Sequence, residues 1–305
     1  MKLKNKGFMS IIGLLTFTLA ALLALTSSLS LASGFIQVKG SDTEVNVVQR
    51  MAEIYMQKTK GAAIAVTGGG SGVGIAAIIN RTTDLANSSR AMKSQELQQA
   101  KMNGVDPIAV VFAIDGLSVI VNPANTVKGL TLDRIGQIYR GEVKNWGQVG
   151  GPNLPVTLYG RQPNSGTFVF FRESVVRGDY ANTMNQMNGN AQIVEAVKRD
   201  KGGIGYVGVG YVVDDKGRVT PGIKVLNVAK DRNSKAMSPI DAKNIASGAY
   251  PIVRPLYQYF DRASKGKVGE FVRFELGPEG QKIISTQGFF PVSAGYRRYN
   301  AQHGF

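Results

Sequence analysis

The stretch "FIQVKGSDTEVNVVQRMAEIYMQKT", Phe35–Thr59, sets the reading of the fold. "FIQVKG" has the alternation of a strand. The segment from Glu44 to Thr59 places Val45, Val48, Ala52 and Tyr55 on one helical face, with Met51 beside them. Between them lies "GSDTEV", a short polar turn. A strand that runs through such a turn into a helix is the unit of an α/β fold, and the same unit recurs downstream. "AIAVT" (63–67) leads through glycines into the apolar helix "IAAIIN" (75–80). "TDLANSS" (83–89) ends a third strand, and Lys93 to Met102 reads as a polar helix. "IAVVFAI" and "LSVIVNP" are β-branched runs split at Asp115-Gly116, which reads as a turn signal.

After Pro123 the alternation restarts. "LTLDRIGQIYRG", "TFVFFRESVV" and "NAQIVEAVKR" are helical, "VTLYGR" and "IKVLNVA" are strands, and "GGIGYVGVGYVV" is a Gly-punctuated apolar run. "MSPIDAKNIASG" predicts a helix capped at Ser238 with Pro239 in its first turn. "RPLYQYF" is strand-like, and helices are expected over Lys265–Leu276 and Pro278–Ser285. A chain of 305 residues, 43% of them hydrophobic, can bury two cores. Crossing points near Asn122-Pro123 and Pro251–Leu256 predict a two-lobed molecule, each lobe a mixed, mostly parallel sheet flanked by helices. Lobe I would comprise residues 33–121 and 253–305, lobe II the inserted 122–252, with a ligand in the cleft between them.

Lys2, Lys4 and Lys6 precede an apolar or small run from Phe8 to Leu25, and Ser30-Leu31-Ala32 follows. This is the layout of a secretory signal peptide over 1–32, cleaved after Ala32. A membrane anchor is the rival reading, but small polar residues and no stop-transfer charges follow. With no Cys in the chain there is no lipid-anchor site, disulfide or thiolate nucleophile. The single His, His303, argues against a Ser-His-Asp engine or a His-rich metal site. Removing the three lysines leaves +12 of the formal charge of +15. Such a surface draws anions in general without choosing among them.

Four loops share one chemistry. In the first, Ser41, Asp42 and Thr43 open a helix, and Ser41 with Glu44 fits a capping box as well as an anion site. The second, "TGGGSGVGIAA" (67–77), carries a relaxed dinucleotide fingerprint at Gly72-x-Gly74-x-x-Ala77. Ile75 stands where a P-loop needs Lys, which leaves a Gly-rich anion nest with Ser71 or a plain tight turn. The third, "LANSSRAM" (85–92), offers Ser89 and Arg90 as hydroxyl and guanidinium, or as a helix cap and an exposed charge. The fourth is "GRQPNSGTFVFF" (160–171). There Arg161 can fork onto two oxygens, with Ser165, Gly166 and Thr167 at the helix start; otherwise Asn164 or Ser165 is only a cap. Each loop alone is ambiguous. Together, across both lobes, they describe a dry cage for a small tetrahedral oxyanion.

The pieces "GSDT", "GGGSG", "SSR", "AIDGLSVIVNP", "VKNWGQVGG", "YGRQPNSGTFVFF", "GGIGYVGVGYV" and "YPIVRPLY" fall in order along most of the mature chain. In this the sequence resembles the periplasmic phosphate-binding proteins of phosphate ABC importers. The resemblance implies a type II periplasmic binding protein that closes on inorganic phosphate and delivers it to a membrane permease. It implies a soluble monomer with no cofactor, no nucleic-acid partner and no enzymatic activity. By motif position, Ser41, Asp42, Thr43 and Ser71 would face Arg161, Ser165, Gly166 and Thr167. Members of the family carry an Asp where this chain has Ser89, followed by Arg90. That Asp accepts the proton of hydrogen phosphate, which sulfate lacks. Here Arg90 is expected to enter the site, and Asp42 and Asp115 are the candidate acceptors, with Asp115 equally readable as a turn residue before Gly116. A phosphatase would need metal ligands or an activated nucleophile. Two rival functions stand beside phosphate capture: surface adhesion through bare charge, and binding of sulfate, tungstate or molybdate in the same architecture.

Overall fold

In the computed structural model, which describes residues 34–214 and 216–305, the opening stretch forms β1 (Phe35–Gly40) and α1 (Val45–Lys58). The expected signal peptide lies outside the described residues. The chain continues through β2 (Ala63–Gly69), α2 (Ser71–Ile79), β3 (Leu85–Ser88), α3 (Ser94–Met102) and β4 (Pro107–Gly116). Then come β5 (Ser118–Val121), β6 (Gly129–Thr131), α4 (Leu132–Tyr139), β7 (Thr157–Arg161), α5 (Gly166–Phe171), β8 (Asn185–Met187), α6 (Asn190–Arg199) and β9 (Gly203–Val207). The short β10 (Lys224–Val225), β11 (Asn227–Ala229) and α7 (Ala242–Ala246) lead to β12 (Val253–Asp261) and the helices α8 (Lys265–Leu276), α9 (Pro278–Thr286) and α10 (Ala294–Gln302).

Two five-stranded mixed sheets result, in the orders β2-β1-β3-β12-β4 and β10-β5-β9-β7-β8. In the first, β1 runs parallel to β2 and to β3, while β12 returns antiparallel between β3 and β4. The carboxyl ends of β1, β2, β3 and β4 and the amino end of β12 therefore share one edge. In the second sheet β7 runs parallel to β8 and β9. One face of the first sheet packs Ile36 and Val38 against Val47, Val48, Met51 and Ala52 of α1 and Phe271 and Val272 of α8. Its other face packs Ala86 and Tyr259 against Ile75, Ile78 and Ile79 of α2. Lobe II closes around Ile135, Ile138, Tyr139, Trp146, Phe171 and Tyr206. Phe171 stacks on Tyr206 with ring centroids 4.0 Å apart, which seats α5 on the second sheet.

Several local expectations shift. β5 pairs with β9 and β10, so the first crossing between lobes lies at Leu117, not after Val121. Asp115-Gly116 is not a turn: both residues stay in β4, paired with Arg254 and Val253 of β12. Two extended strands thus carry the chain between the lobes. The inward face of α1 includes Val47 in place of Val45, and Tyr55 packs on the same core as expected, against the rings of Phe271 and Phe274. The helix expected from Ser238 begins at Ala242, where the Asp241 carboxylate accepts from Lys243 N. "IKVLNVA" breaks at Leu226 into strands of two different sheets.

Candidate anion-binding site

Four strand-to-helix loops and the start of β12 converge where the lobes meet. At the end of β1 the chain turns through Ser41, Asp42 and Thr43. Ser41 N donates to Asn87 O (2.9 Å), and Thr43 is fully buried. The expected capping box is absent, since no side chain caps α1. Ser71 opens α2, and its Oγ accepts from Ser89 N (3.0 Å) and lies 3.2 Å from Ser89 Oγ. Positive φ angles at Gly69 and Gly70 allow this turn, and a Cβ on Gly70 would meet Asn164 O of the facing lobe at 2.8 Å.

From lobe II, Arg161 ends β7 and is only 1% exposed. Its backbone N donates to Tyr206 Oη (3.1 Å), Nε to Met187 O (3.3 Å) and Nη2 to Asn188 O (2.8 Å). Burial pushes the Tyr206 phenol up to about 12, outweighing the hydrogen bonds and arginine charges that pull it down, so this partner stays neutral. Arg161 Nη2 also pairs across the cleft with the Asp42 carboxylate, whose other oxygen accepts from Gly69 N (2.8 Å). Arg161 Nη1 is buried with no partner among the described residues. Ser165 caps α5, accepting from Thr167 N (3.2 Å) and Phe168 N (3.4 Å). Thr167 Oγ1 then reaches Thr43 Oγ1 (2.9 Å) and approaches Ser89 Oγ (3.5 Å). Gly166 has to be Gly, because a Cβ there would collide with Ser71 Oγ and meet Ser89 Oγ at 2.8 Å.

Arg90 does not join this cluster. Both its terminal nitrogens bind the Glu96 carboxylate at 2.7 Å. Burial alone would raise the Glu96 carboxyl, but Arg90 and the Lys93 N–H outweigh it and hold the carboxyl below its usual range. The second arginine of the site is Arg254, which the sequence pattern does not single out. It is 2% exposed and donates through Nε (2.9 Å) and Nη2 (2.7 Å) to Asp115 Oδ2. Nη1 reaches Ser89 O (3.2 Å), and Nη2 reaches Thr167 Oγ1 (3.0 Å) and Thr43 Oγ1 (3.5 Å). Asp115 Oδ1 accepts from Val209 N of lobe II (2.9 Å). A charge inside the otherwise strand-like "IVRPLYQYF" was the available signal, since a buried strand retains an arginine only when it is paired.

The cluster thus joins Thr43, Ser71 and Ser89 of lobe I to Gly166 and Thr167 of lobe II, between two arginines that each hold an aspartate. Hydroxyls and guanidinium nitrogens are donors suited to several anionic oxygens at once, and burial strengthens each such bond.

The model of the PBP superfamily domain matches residues 26–279. Phosphate-binding protein PstS of Pseudomonas aeruginosa is 31% identical over 280 residues, covering 86% of this chain and 84% of that one. The chain belongs to the PstS family of the PBP superfamily. Protein SphX of Synechococcus elongatus is 32% identical over 273 residues, 85% of this chain and 78% of that one. Among solved structures, an ABC-type phosphate transport receptor from Vibrio cholerae superposes with a TM-score of 0.67 at 26% identity, over 84% of this chain and all of that one. In PstS-family terms, the mixed two-sheet architecture is the two-lobed binding-protein fold, and the cluster lies at the cleft.

Proposed function

We propose that this protein captures inorganic phosphate between its lobes and delivers it to the permease of an ABC importer. The observation that carries this reading is Arg161, a buried guanidinium of lobe II that pairs with Asp42 of lobe I and keeps Nη1 without a protein partner among the described residues. Around it, neutral hydroxyls from both lobes supply the further donors a tetrahedral anion needs. The names of the PstS relatives support the choice of phosphate. The reading is of an exported binding protein that works as a monomer, released by cleavage after Ala32, rather than an enzyme. No helix among the described residues is long and apolar enough to cross a membrane.

Selectivity rests on Asp42. Asp115 already accepts from Val209 N and twice from Arg254, and its side chain is fully buried. Asp42 spends one oxygen on Gly69 N and one on Arg161, and its side chain is 20% exposed, which leaves lone pairs for the proton of hydrogen phosphate. Sulfate offers no such proton. Titration calorimetry of the mature protein with phosphate and with sulfate tests the reading. One-to-one phosphate binding with weak or no sulfate binding is expected, and preference for sulfate contradicts it.

A further inference from the structure

Behind the first loop lies a buried polar chain that the anion cage does not use. Glu44 follows Thr43 directly, is fully buried, and neither of its oxygens has a hydrogen-bond partner among the described residues. The Ser41 hydroxyl beside it makes no hydrogen bond of normal geometry there, though it lies close enough to lower the Glu44 carboxyl. Farther in, Gln258 of β12 donates to Asn87 Oδ1 (3.3 Å) and to Glu275 Oε1 of α8 (3.1 Å). Asn87 Nδ2, Gln258 Oε1 and Glu275 Oε2 are also buried without a hydrogen-bond partner among the described residues. Natural interiors leave few such atoms unmatched, so a concentration of them beside a binding loop calls for an account.

We propose that Glu44 is a positioning residue for the anion site and carries a proton while the anion is held. The charged and polar groups that act on it come from several elements: Ser41 from its own loop, Asp115 from β4, Arg254 from β12 and Glu275 from α8. The cation of this group, Arg254, is already neutralised by its pair with Asp115. An ionised Glu44 would add a second carboxylate to that balance, one residue from the Thr43 hydroxyl, and would compete for the guanidinium that reaches Thr43 and Thr167. A protonated Glu44 leaves Arg254 to the cage. Burial lifts the Glu44 carboxyl well above its ordinary range. Ser41 and Arg254 pull it down, Asp115 and Glu275 push it further up, and burial prevails.

The inference rests on the phosphate reading, and the two fail separately. Phosphate affinity and the number of protons exchanged are measured by calorimetry across neutral to alkaline pH, in buffers of different ionisation enthalpy. The proteins are the unmodified protein and Glu44→Gln. In the unmodified protein, affinity falls about tenfold per pH unit once Glu44 ionises, the slope of one linked proton. Glu44→Gln, a neutral stand-in for the protonated acid, lacks that limb. The ligand's own proton appears in both proteins and cancels. Identical pH profiles and proton counts overturn the inference, while absence of phosphate binding at every pH overturns the functional reading instead. Infrared difference spectra of the unmodified protein with and without phosphate keep the test open should the variant fail to fold. A neutral-carboxyl band that responds to phosphate and survives in Glu275→Gln is expected. No such response contradicts the proposal.

Discussion

Arg161 and Arg254 each hold an aspartate, yet the two pairs are built from different parts of the chain. Arg161 of β7 reaches across the cleft to Asp42, so that pair depends on the lobes being together. Arg254 and Asp115 are register partners on adjacent strands at the crossing between lobes, so their pair is fixed by the sheet itself. The first is partly open to solvent on the aspartate side, and the second is sealed on both. The difference separates two jobs. On the proposed reading, the strand-register pair serves folding as well as the site, whereas the cross-cleft pair serves closure and binding.

Removing the aspartates one at a time breaks the comparison most sharply. Asp115→Ala leaves Arg254 buried without its counter-charge and should cost about 3–5 kcal/mol of stability in urea unfolding. Asp42→Ala should cost less in the same measurement, because its carboxylate is partly solvated and parting of the lobes can hydrate Arg161. Gly166→Ala should act on closure alone: a methyl driven against Ser71 and Ser89 weakens phosphate binding by about 1–3 kcal/mol in calorimetry while the melting temperature hardly changes. Asp42→Asn keeps the shape and removes the carboxylate charge that accepts the phosphate proton strongly and repels sulfate, so the ratio of phosphate to sulfate affinity should drop about tenfold, roughly the value of one charged hydrogen bond.

A further prediction concerns Glu275 of α8, which belongs to neither pair. Burial lifts its carboxyl to about 8, only partly offset by the hydrogen bond from Gln258. The unfolded chain ionises this group near 4.5, so the folded state binds the extra proton between those values. Stability from Glu275 is fully present below about 4.5 and is lost as pH rises toward 8. Glu275→Gln should therefore match the unmodified protein in urea at low pH and exceed it by several kcal/mol, on the order of 1.4 per pH unit of the shift, at mildly alkaline pH.

The parts of the site written in local sequence were legible from the residues alone. A strand, a Gly- or Ser-rich turn and a helix start follow from neighbouring residues, which is why Thr43, Ser71, Ser89 and Thr167 can be named without the fold. Arg254 and its pairing with Asp115 cannot. That pairing spans 139 positions and follows only from β12 returning antiparallel beside β4, a register the residues themselves do not announce. Arg90 was misplaced for the opposite reason. A local partner, Glu96 in the next helix, takes its guanidinium before any long-range site can. The last helix, α10, escaped notice because "AGYRRYNAQ" has no apolar stripe. It is held instead by Asn300, whose side chain bonds both backbone groups of Val111 in β4 at 2.9 and 2.7 Å.

The central claim is that one buried cage around Arg161 holds phosphate. Its most direct test is a phosphate titration of the mature protein and of Arg161→Ala in the same calorimeter at neutral pH. The account predicts one-to-one binding that weakens by about 2–5 kcal/mol in the variant, with folding intact. Tight phosphate binding retained by Arg161→Ala would contradict it.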